Sequence, residues 1–327
     1  MINVLAPPTP VHIEPSDGRR PSRSILVSCI TIIMAIWAIN YLTVKFALRY
    51  FQPLTLASFR VVGASAFMLA IYPIAARLPA FSADLKAHKQ KRTLRDLFTF
   101  AYLGFFCISL NQMCFTVGLR HTSVAHSSII LGLGPIYALI LAVLFRLEKL
   151  TWGKALGMAV SFIGVAILAS GSGGVSRHSP TLLGDFITLC GSLAFALYVV
   201  LGKRVAGKYD ALTMTTWNYL FGGLIILPIA INRAIALGPL ANWQAIPWTA
   251  WACLAFTAVF SSTLAYLFYF WLLRYLEASQ LSAFSYLLPV SATILGILFL
   301  NERGSWSELL GAALALVGLS LTESARS

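Results

Sequence analysis

Long runs of apolar residues follow one another along almost the whole chain, separated by short polar or basic segments. Ten runs can be distinguished, numbered here as spans 1 to 10, at about residues 25–45, 54–76, 97–118, 124–145, 152–170, 182–202, 212–232, 249–273, 279–300 and 305–322. A helix needs about 20 apolar residues to cross the hydrocarbon of a bilayer. Strands of a membrane barrel would alternate apolar and polar positions in segments of about ten residues. The pattern predicts an all-α polytopic membrane protein with ten transmembrane helices.

The second half of the chain repeats the first. Five positions recur 154 residues later without a gap, since Pro135, Glu148, Trp152, Gly157 and Gly164 match Pro289, Glu302, Trp306, Gly311 and Gly318. Five spans per half is an odd number, so the second copy enters the membrane from the opposite side and the repeats are inverted. The chain is predicted to begin with a disordered cytoplasmic tail (1–24), followed by a first repeat with spans 1–5 (25–170) and a linker (171–181). A second repeat with spans 6–10 (182–322) and a short cytoplasmic tail (323–327) complete it.

Composition and charge support a membrane location. Apolar residues make up 58% of the chain and charged residues only 11%, whereas soluble domains carry about 25% charged residues. The net charge of +13 reflects an uneven distribution: with a cytoplasmic N-terminus, 17 Lys and Arg residues fall on the inside and 6 on the outside. This bias predicts cytoplasmic termini in the cell (inner) membrane and makes nucleic acid an unexpected partner. The five cysteines fall within apolar spans and are interpreted as small buried residues.

Prolines and glycines distinguish two kinds of span. Pro135 and Pro289 lie near the middle of spans 4 and 9, where each removes one backbone hydrogen bond. They form either simple packing kinks or bends that line a cavity and permit gating. Spans 5 and 10 carry small residues four apart, such as Gly153 and Gly157 in span 5, which favour close helix packing. These two spans are predicted to be peripheral and to offer a surface for a homodimer.

Arg60 is the sharpest candidate for a binding residue. Span 2 begins at about Leu54 on the outer side, so Arg60 lies about 9 Å deep at 1.5 Å per residue. Its long side chain could reach back to the membrane surface. Alternatively it faces a wet cavity and holds an anionic group, because an arginine in hydrocarbon is costly and does not face lipid.

Further polar side chains within the spans complete the predicted binding set. Amides at this depth seek partners on facing helices or on a ligand. Asn40, Asn111 and Gln112 lie in the outer half, and His126 begins span 4 as either a hydrogen-bonding residue or a proton carrier. Tyr198 and Asn218 are included as the repeat counterparts of Asn40 and Arg60, respectively. Tyr266 and Tyr286 are included for the hydroxyls they add in spans 8 and 9.

Signals for catalysis, a cofactor or a metal are poor. The segment from Gly202 to Lys208 matches a phosphate-binding loop, but Tyr209 replaces the required Ser or Thr and the segment follows a membrane helix. Glu148 and Glu302, beside Lys149 and Arg303, are interpreted as structural capping or pairing residues. No Asp or Glu lies in the middle of a span, which weakens a carboxylate proton relay. The chain is expected not to be an enzyme, and no cofactor or metal is predicted.

Short motifs in both halves carry a family resemblance. They include Trp37-Ala38-Ile39-Asn40, Phe59-Arg60 and the segment from Gly118 to Ala125 in the first half, and Gly184-Asp185 and Asn301-Glu302-Arg303 in the second. Together they resemble the drug/metabolite transporter superfamily, EamA-type, over nearly all of residues 25–322.

The resemblance implies a fold and a function. It implies ten helices in two inverted repeats around a central cavity lined by spans 1–4 and 6–9. The expected function is secondary transport of a small metabolite by alternating access, with export of an amino acid or a related amphipathic solute favoured by the aromatic spans. A phosphorylated-sugar or nucleotide-sugar exchanger of the same fold would need several cations, and only Arg60 is deep. A membrane scaffold without transport is the other alternative.

Overall fold

The computed structural model describes residues 21–88, 93–121, 127, 130–171, 182–237, 243–288, 290–291 and 306–325. All regular elements within these residues are helical. They are α1 Arg23–Ala47, α2 Pro53–Ala75, α3 Pro79–Ala87, α4 Leu94–His121, α5 Gly134–Leu144, α6 Trp152–Gly171, α7 Leu182–Val205, α8 Ala211–Leu237, α9 Trp248–Leu272, α10 Ala278–Ala283 and α11 Trp306–Ser324. A 3₁₀ turn, Phe284–Tyr286, continues α10.

The helices confirm the prediction of an all-α polytopic membrane protein. Six of them, α1, α2, α4, α7, α8 and α9, are long and apolar enough to cross a membrane. The shorter helices α5, α6 and α11 correspond to spans 4, 5 and 10, and α10 begins span 9. Large apolar side chains stand exposed on the outer surface, as expected beside lipid, and they include Ile74, Phe98, Leu144, Leu182 and Ile235. The number of ten spans stays a prediction.

Local sequence signals set several helix ends. Pro53 lies in the first turn of α2, where its missing N–H has no helical partner to lose. Thr93 caps α4: its hydroxyl accepts from the Asp96 N–H, and the Asp96 carboxylate accepts from the Thr93 N–H. Pro135 lies in the first turn of α5, after a turn at Leu133. Leu133 keeps helical backbone angles, so the helical course runs from Ile130 through the proline to Leu144 with only a local turn before Pro135.

Both α4 and α9 contain a π-helical segment in their middle. The segments are Gly104–Asn111 in α4 and Thr257–Leu264 in α9, at corresponding places in the two predicted repeats. A π-helix has a wider turn than an α-helix and changes the angular position of the residues that follow it. The two segments bring polar neighbours into the centre of the molecule, Asn111 beside Gln112 and Ser261 beside Ser262.

Helices α6 and α11 pack closely through their small residues. A Cβ added to Gly164 would lie 2.4 Å from the Ala315 nitrogen, and one added to Gly318 would lie 2.4 Å from the Ser161 nitrogen. The Ser161 hydroxyl also donates to the Ala315 carbonyl at 3.0 Å. The small-residue faces named for a homodimer are thus already occupied by each other within one chain, and the homodimer itself stays a prediction.

Replacing Gly164 with alanine is expected to lower the free energy of unfolding by about 1–3 kcal/mol, the usual effect of overpacking. The new Cβ would meet backbone atoms of α11, which cannot rotate away as a side chain would. Thermal unfolding of the purified protein in detergent measures the effect. Gly63→Ala is the matched control, because its nearest neighbour, the Ala258 Cβ, lies 3.7 Å away. Equal midpoints for the two variants would contradict the packing described.

Candidate functional site

A central cavity lies between helices of the two halves. It encloses about 740 Å³, counting its opening. Helices α1, α2, α4 and α5 line it from the first half, and α7, α9 and α10 with its continuation line it from the second. The polar lining residues are Asn40, Arg60, Asn111, Gln112, Ser192, Ser261, Ser282 and Ser285. The aromatic and apolar ones are Trp37, Tyr41, Phe115, Leu131, Gly134, Pro135, Phe195, Tyr266 and Leu288.

Arg60 forms part of the cavity wall and is only 4% exposed. Its Nε donates to the Ser262 hydroxyl at 2.7 Å, and its Nη2 donates to the Ser261 hydroxyl at 3.3 Å. The side chain therefore reaches across to α9 instead of extending to the aqueous surface. The third nitrogen, Nη1, is buried and has no protein hydrogen-bond partner.

A closed set of hydrogen bonds holds the Arg60 guanidinium in place. The Ser262 hydroxyl accepts from Arg60 and donates to the Gln112 Oε1 at 3.1 Å. The Gln112 Nε2 donates to the Tyr219 hydroxyl at 3.1 Å, and that hydroxyl donates to the Ser262 carbonyl. The Ser262 hydroxyl both accepts and donates a hydrogen bond, and both polar atoms of the Gln112 amide are bonded. These groups therefore hold Arg60 in one orientation. Sequence reasoning missed Tyr219, since a tyrosine inside an apolar span carries no signal of its partners.

The remaining polar groups of the lining differ in whether their hydrogen-bonding atoms have protein partners. The Asn111 Nδ2 donates to the Gly191 carbonyl at 2.9 Å, and its Oδ1 accepts from the Tyr266 hydroxyl at 3.3 Å. The Asn40 Oδ1 and the Ser192 hydroxyl, by contrast, are buried in the lining without a partner. Buried polar atoms are normally hydrogen-bonded. Among the described lining residues, Arg60 Nη1, Asn40 Oδ1 and Ser192 Oγ are therefore buried atoms whose hydrogen-bonding capacity the protein leaves unused.

Several residues predicted for the site do not line the cavity. Tyr198 is 2% exposed and packs behind Tyr266, with ring centroids 6.2 Å apart. Asn218 is buried on α8, and Tyr286 is turned toward α6, where its hydroxyl donates to the Met158 carbonyl. Their positions were inferred from the repeat or from depth, and depth does not fix the direction in which a side chain leaves its helix. His126 and Pro289 lie outside the residues that the structure describes.

Aromatic side chains cluster in one part of the cavity wall. Trp37 contacts the rings of Phe195, Tyr266 and Tyr269 at centroid distances of 5.9, 5.6 and 5.5 Å. Its Nε1 donates to the Ser261 carbonyl at 3.2 Å, which fixes the indole against α9. Along α7 and α9 these rings lie between the lining serines, Ser192 and Ser261, and the C-terminal ends of the two helices.

Ion pairs join the two predicted repeats beyond the aromatic cluster. These cross-repeat ion pairs are Asp84–Arg274 at 2.7 Å, Asp96–Lys208 at 2.5 Å and Lys154–Glu277 at 2.5 Å. Lys154 is fully buried and also pairs with Glu148 at 3.1 Å. Glu148 in turn accepts from the backbone N–H and the hydroxyl of Ser279. Glu148 is thus a pairing residue, as predicted, but its cation is Lys154 and not its sequence neighbour Lys149.

Comparison with known proteins extends this description. The model of the EamA-like transporter family matches residues 24–170 and 182–323. An "Uncharacterized transporter" of Archaeoglobus fulgidus is 24% identical over 89% of this chain and 95% of its own. "Uncharacterized transporter YyaM" of Bacillus subtilis is 28% identical over 84% of this chain and 86% of its own. A "Probable terminal-alkyne amino-acid exporter" of Streptantibioticus cattleyicolor is 23% identical over 88% and 92%, respectively.

A solved crystal structure shows the same fold. It superposes with a TM-score of 0.67 at 15% identity and covers 92% of this chain and 96% of its own. The family match extends over both halves of the chain and agrees with the all-helical, membrane-spanning architecture. The chain therefore belongs to the EamA-like transporter family, within the drug/metabolite transporter superfamily.

Proposed function

We propose that this transporter exports a small metabolite, an amino acid or a related amphipathic solute, by alternating access through the central cavity. The observation that carries the proposal is the buried Arg60 guanidinium in the cavity wall, with Nη1 unpartnered. A buried charge without an anionic partner is costly, and none of the described lining residues is acidic, so a ligand anion is its natural complement. The Streptantibioticus relative, named as an amino-acid exporter, supports this class of solute and this direction.

The proposed binding residues fall into two groups. Asn40 and Arg60 contact the solute directly, because each has a buried atom without a protein partner. Asn111, Gln112 and Tyr266 line the cavity and hold its shape through the hydrogen bonds described above.

The cross-repeat ion pairs are proposed to form the gate on the cytoplasmic side. They lie beyond the aromatic cluster, at the end where the C-termini of α7 and α9 are predicted to face the cytoplasm. Alternating access requires the two repeats to separate at this end while they approach at the other. The described conformation is then closed toward the cytoplasm, and release of the three ion pairs opens it.

The alternative functions fit less well. A phosphorylated sugar or a nucleotide sugar carries two or more negative charges and needs several cations. Among the described lining residues Arg60 is the one cation. A scaffold without transport would have no use for a buried, unpaired guanidinium, which lowers its stability.

Cross-linking the gate tests the proposal. Asp84→Cys and Arg274→Cys are combined in a cysteine-free background. The purified protein is reconstituted in proteoliposomes, and transport of a panel of amino acids and related solutes is measured. A short bifunctional methanethiosulfonate should stop transport, and a reducing agent should restore it. The two single variants, which cannot be cross-linked, serve as controls. Unimpaired transport in the cross-linked protein would contradict alternating access through this gate.

The topology makes a separate prediction. Gln90→Cys should react with a membrane-impermeant maleimide only from the cytoplasmic side, and Ser176→Cys only from the outer side, because the excess of Lys and Arg marks the cytoplasmic face. Labelling of intact cells against inverted vesicles measures this. The reverse pattern would contradict the predicted inverted repeats.

A further inference from the structure

We propose that the cavity selects a carboxylate without a free ammonium group, so that an apolar monocarboxylate or an N-acylated amino acid binds better than the corresponding free amino acid. This inference rests on the proposed transport function and narrows its class of solute.

The charges around the cavity favour an anion over a zwitterion. Arg60 is charged and none of the described lining residues is acidic, so these residues together carry one positive charge. Glu277 lies five residues before the lining residue Ser282, and its carboxylate already pairs with Lys154 at 2.5 Å. A monocarboxylate neutralises the described lining, whereas a zwitterion leaves the positive charge in place.

An ammonium group would find poor compensation in this lining. Removing it from water carries a large desolvation penalty unless a carboxylate or several acceptors replace the water. The unpartnered acceptors here, Asn40 Oδ1 and Ser192 Oγ, are neutral. The ammonium would also share a small, weakly polar space with the Arg60 guanidinium, and like charges repel more strongly there than in water.

The same acceptors suit a neutral N–H. The amide of an N-acylated amino acid donates one hydrogen bond without carrying a charge, which matches an acceptor such as Asn40 Oδ1. The apolar part of such a ligand can rest on Phe115, Leu131 and Leu288. One carboxylate for Arg60, one uncharged donor and an apolar body therefore define the ligand class.

Four ligands that share one side chain test the inference on the purified full-length protein. They are phenylalanine, N-acetylphenylalanine, 3-phenylpropionate and phenylalanine methyl ester, compared by isothermal titration calorimetry. Both anions should bind at least about tenfold more tightly than phenylalanine, and the ester, which lacks the carboxylate, should bind most weakly. Arg60→Gln should remove the preference for the anions. Arg49→Gln deletes the same charge at an exposed site and should keep it.

A charge introduced at Asn40 tests the same point in the opposite direction. Asn40→Asp places a carboxylate in the lining at almost unchanged size. It should weaken binding of 3-phenylpropionate and shift the preference toward phenylalanine, because the ammonium then has an anionic partner.

Tighter binding of phenylalanine than of both anions by the wild-type protein would overturn the inference, as would an anion preference that survives Arg60→Gln. Absence of binding by both anions would overturn it as well. The proposed function fails separately, if the reconstituted protein moves none of a wider panel of metabolites. Transport of free amino acids with no response to the anions would leave the function standing and reject only this selectivity.

Discussion

Arg60→Gln is expected to reduce transport of carboxylate-bearing solutes by at least about tenfold, since a hydrogen bond to a charged group contributes about 1.5–3 kcal/mol. Glutamine places its amide nitrogen at about the position of the Arg60 Nε and keeps a donor for the Ser262 hydroxyl, but it removes the positive charge, the donor to Ser261 and the unpartnered Nη1. Initial rates in proteoliposomes, at matched amounts of inserted protein, measure the loss. Uncharged solutes of the same size should be affected much less.

A conservative substitution separates charge from geometry at the same position. Arg60→Lys keeps the charge but loses the planar fork that can bond α9 and a carboxylate together. We expect KM to rise several-fold with a smaller change in the maximal rate. Arg49→Gln, at an exposed position, is the matched control and should behave as wild type. Wild-type rates for an acidic or zwitterionic solute in folded Arg60→Gln would show that Arg60 does not bind the solute.

Lys154→Met is expected to lower the free energy of unfolding by about 3 kcal/mol, because removing one partner of a buried ion pair strands the other. The Lys154 side chain is fully buried and pairs with both Glu148 and Glu277. Without it, the Glu148 carboxylate, which is 3% exposed, keeps its hydrogen bonds from Ser279 and a longer-range attraction to Lys203, but no direct ion pair. Thermal unfolding in detergent, followed by circular dichroism, measures the change.

Two further variants test whether the loss of stability in Lys154→Met comes from the buried ion pair. Lys149→Met removes an exposed lysine from the connection between α5 and α6 and should leave the unfolding midpoint nearly unchanged. Combining Lys154→Met with Glu148→Gln should recover part of the lost stability, because the stranded carboxylate is then neutral. Equal midpoints for Lys154→Met and Lys149→Met would contradict the buried ion pair.

Hydropathy was sufficient to predict the helical membrane fold, because span length follows from bilayer thickness and apolar runs are read directly from the sequence. The position of a residue along its span was also enough to predict that Asn40, Arg60 and Asn111 meet, and all three line the cavity. These residues come from different helices, and what they share is their predicted depth along the spans.

Rotation about the helix axis was not predictable in the same way. Asn218 and Tyr286 were chosen by repeat position or depth, yet Asn218 is buried outside the cavity lining and Tyr286 faces α6. The π-helical segments of α4 and α9 change the angular position of the residues after them, and no turn residue announces them in the sequence. Likewise Glu148 pairs with Lys154, six residues away, because the chain turns between α5 and α6.

The Arg60 guanidinium connects the two halves of the molecule, since it belongs to α2 and is hydrogen-bonded to two hydroxyls of α9. Any movement that separates these helices must change the environment of the group that we propose to hold the solute. Affinity and conformation are then thermodynamically linked, and the linkage is reciprocal: whatever factor the movement applies to solute affinity, bound solute applies to the conformational equilibrium. A tightly bound solute would thus stabilise either the described conformation or the one that follows it, according to the conformation in which Arg60 binds the solute more tightly.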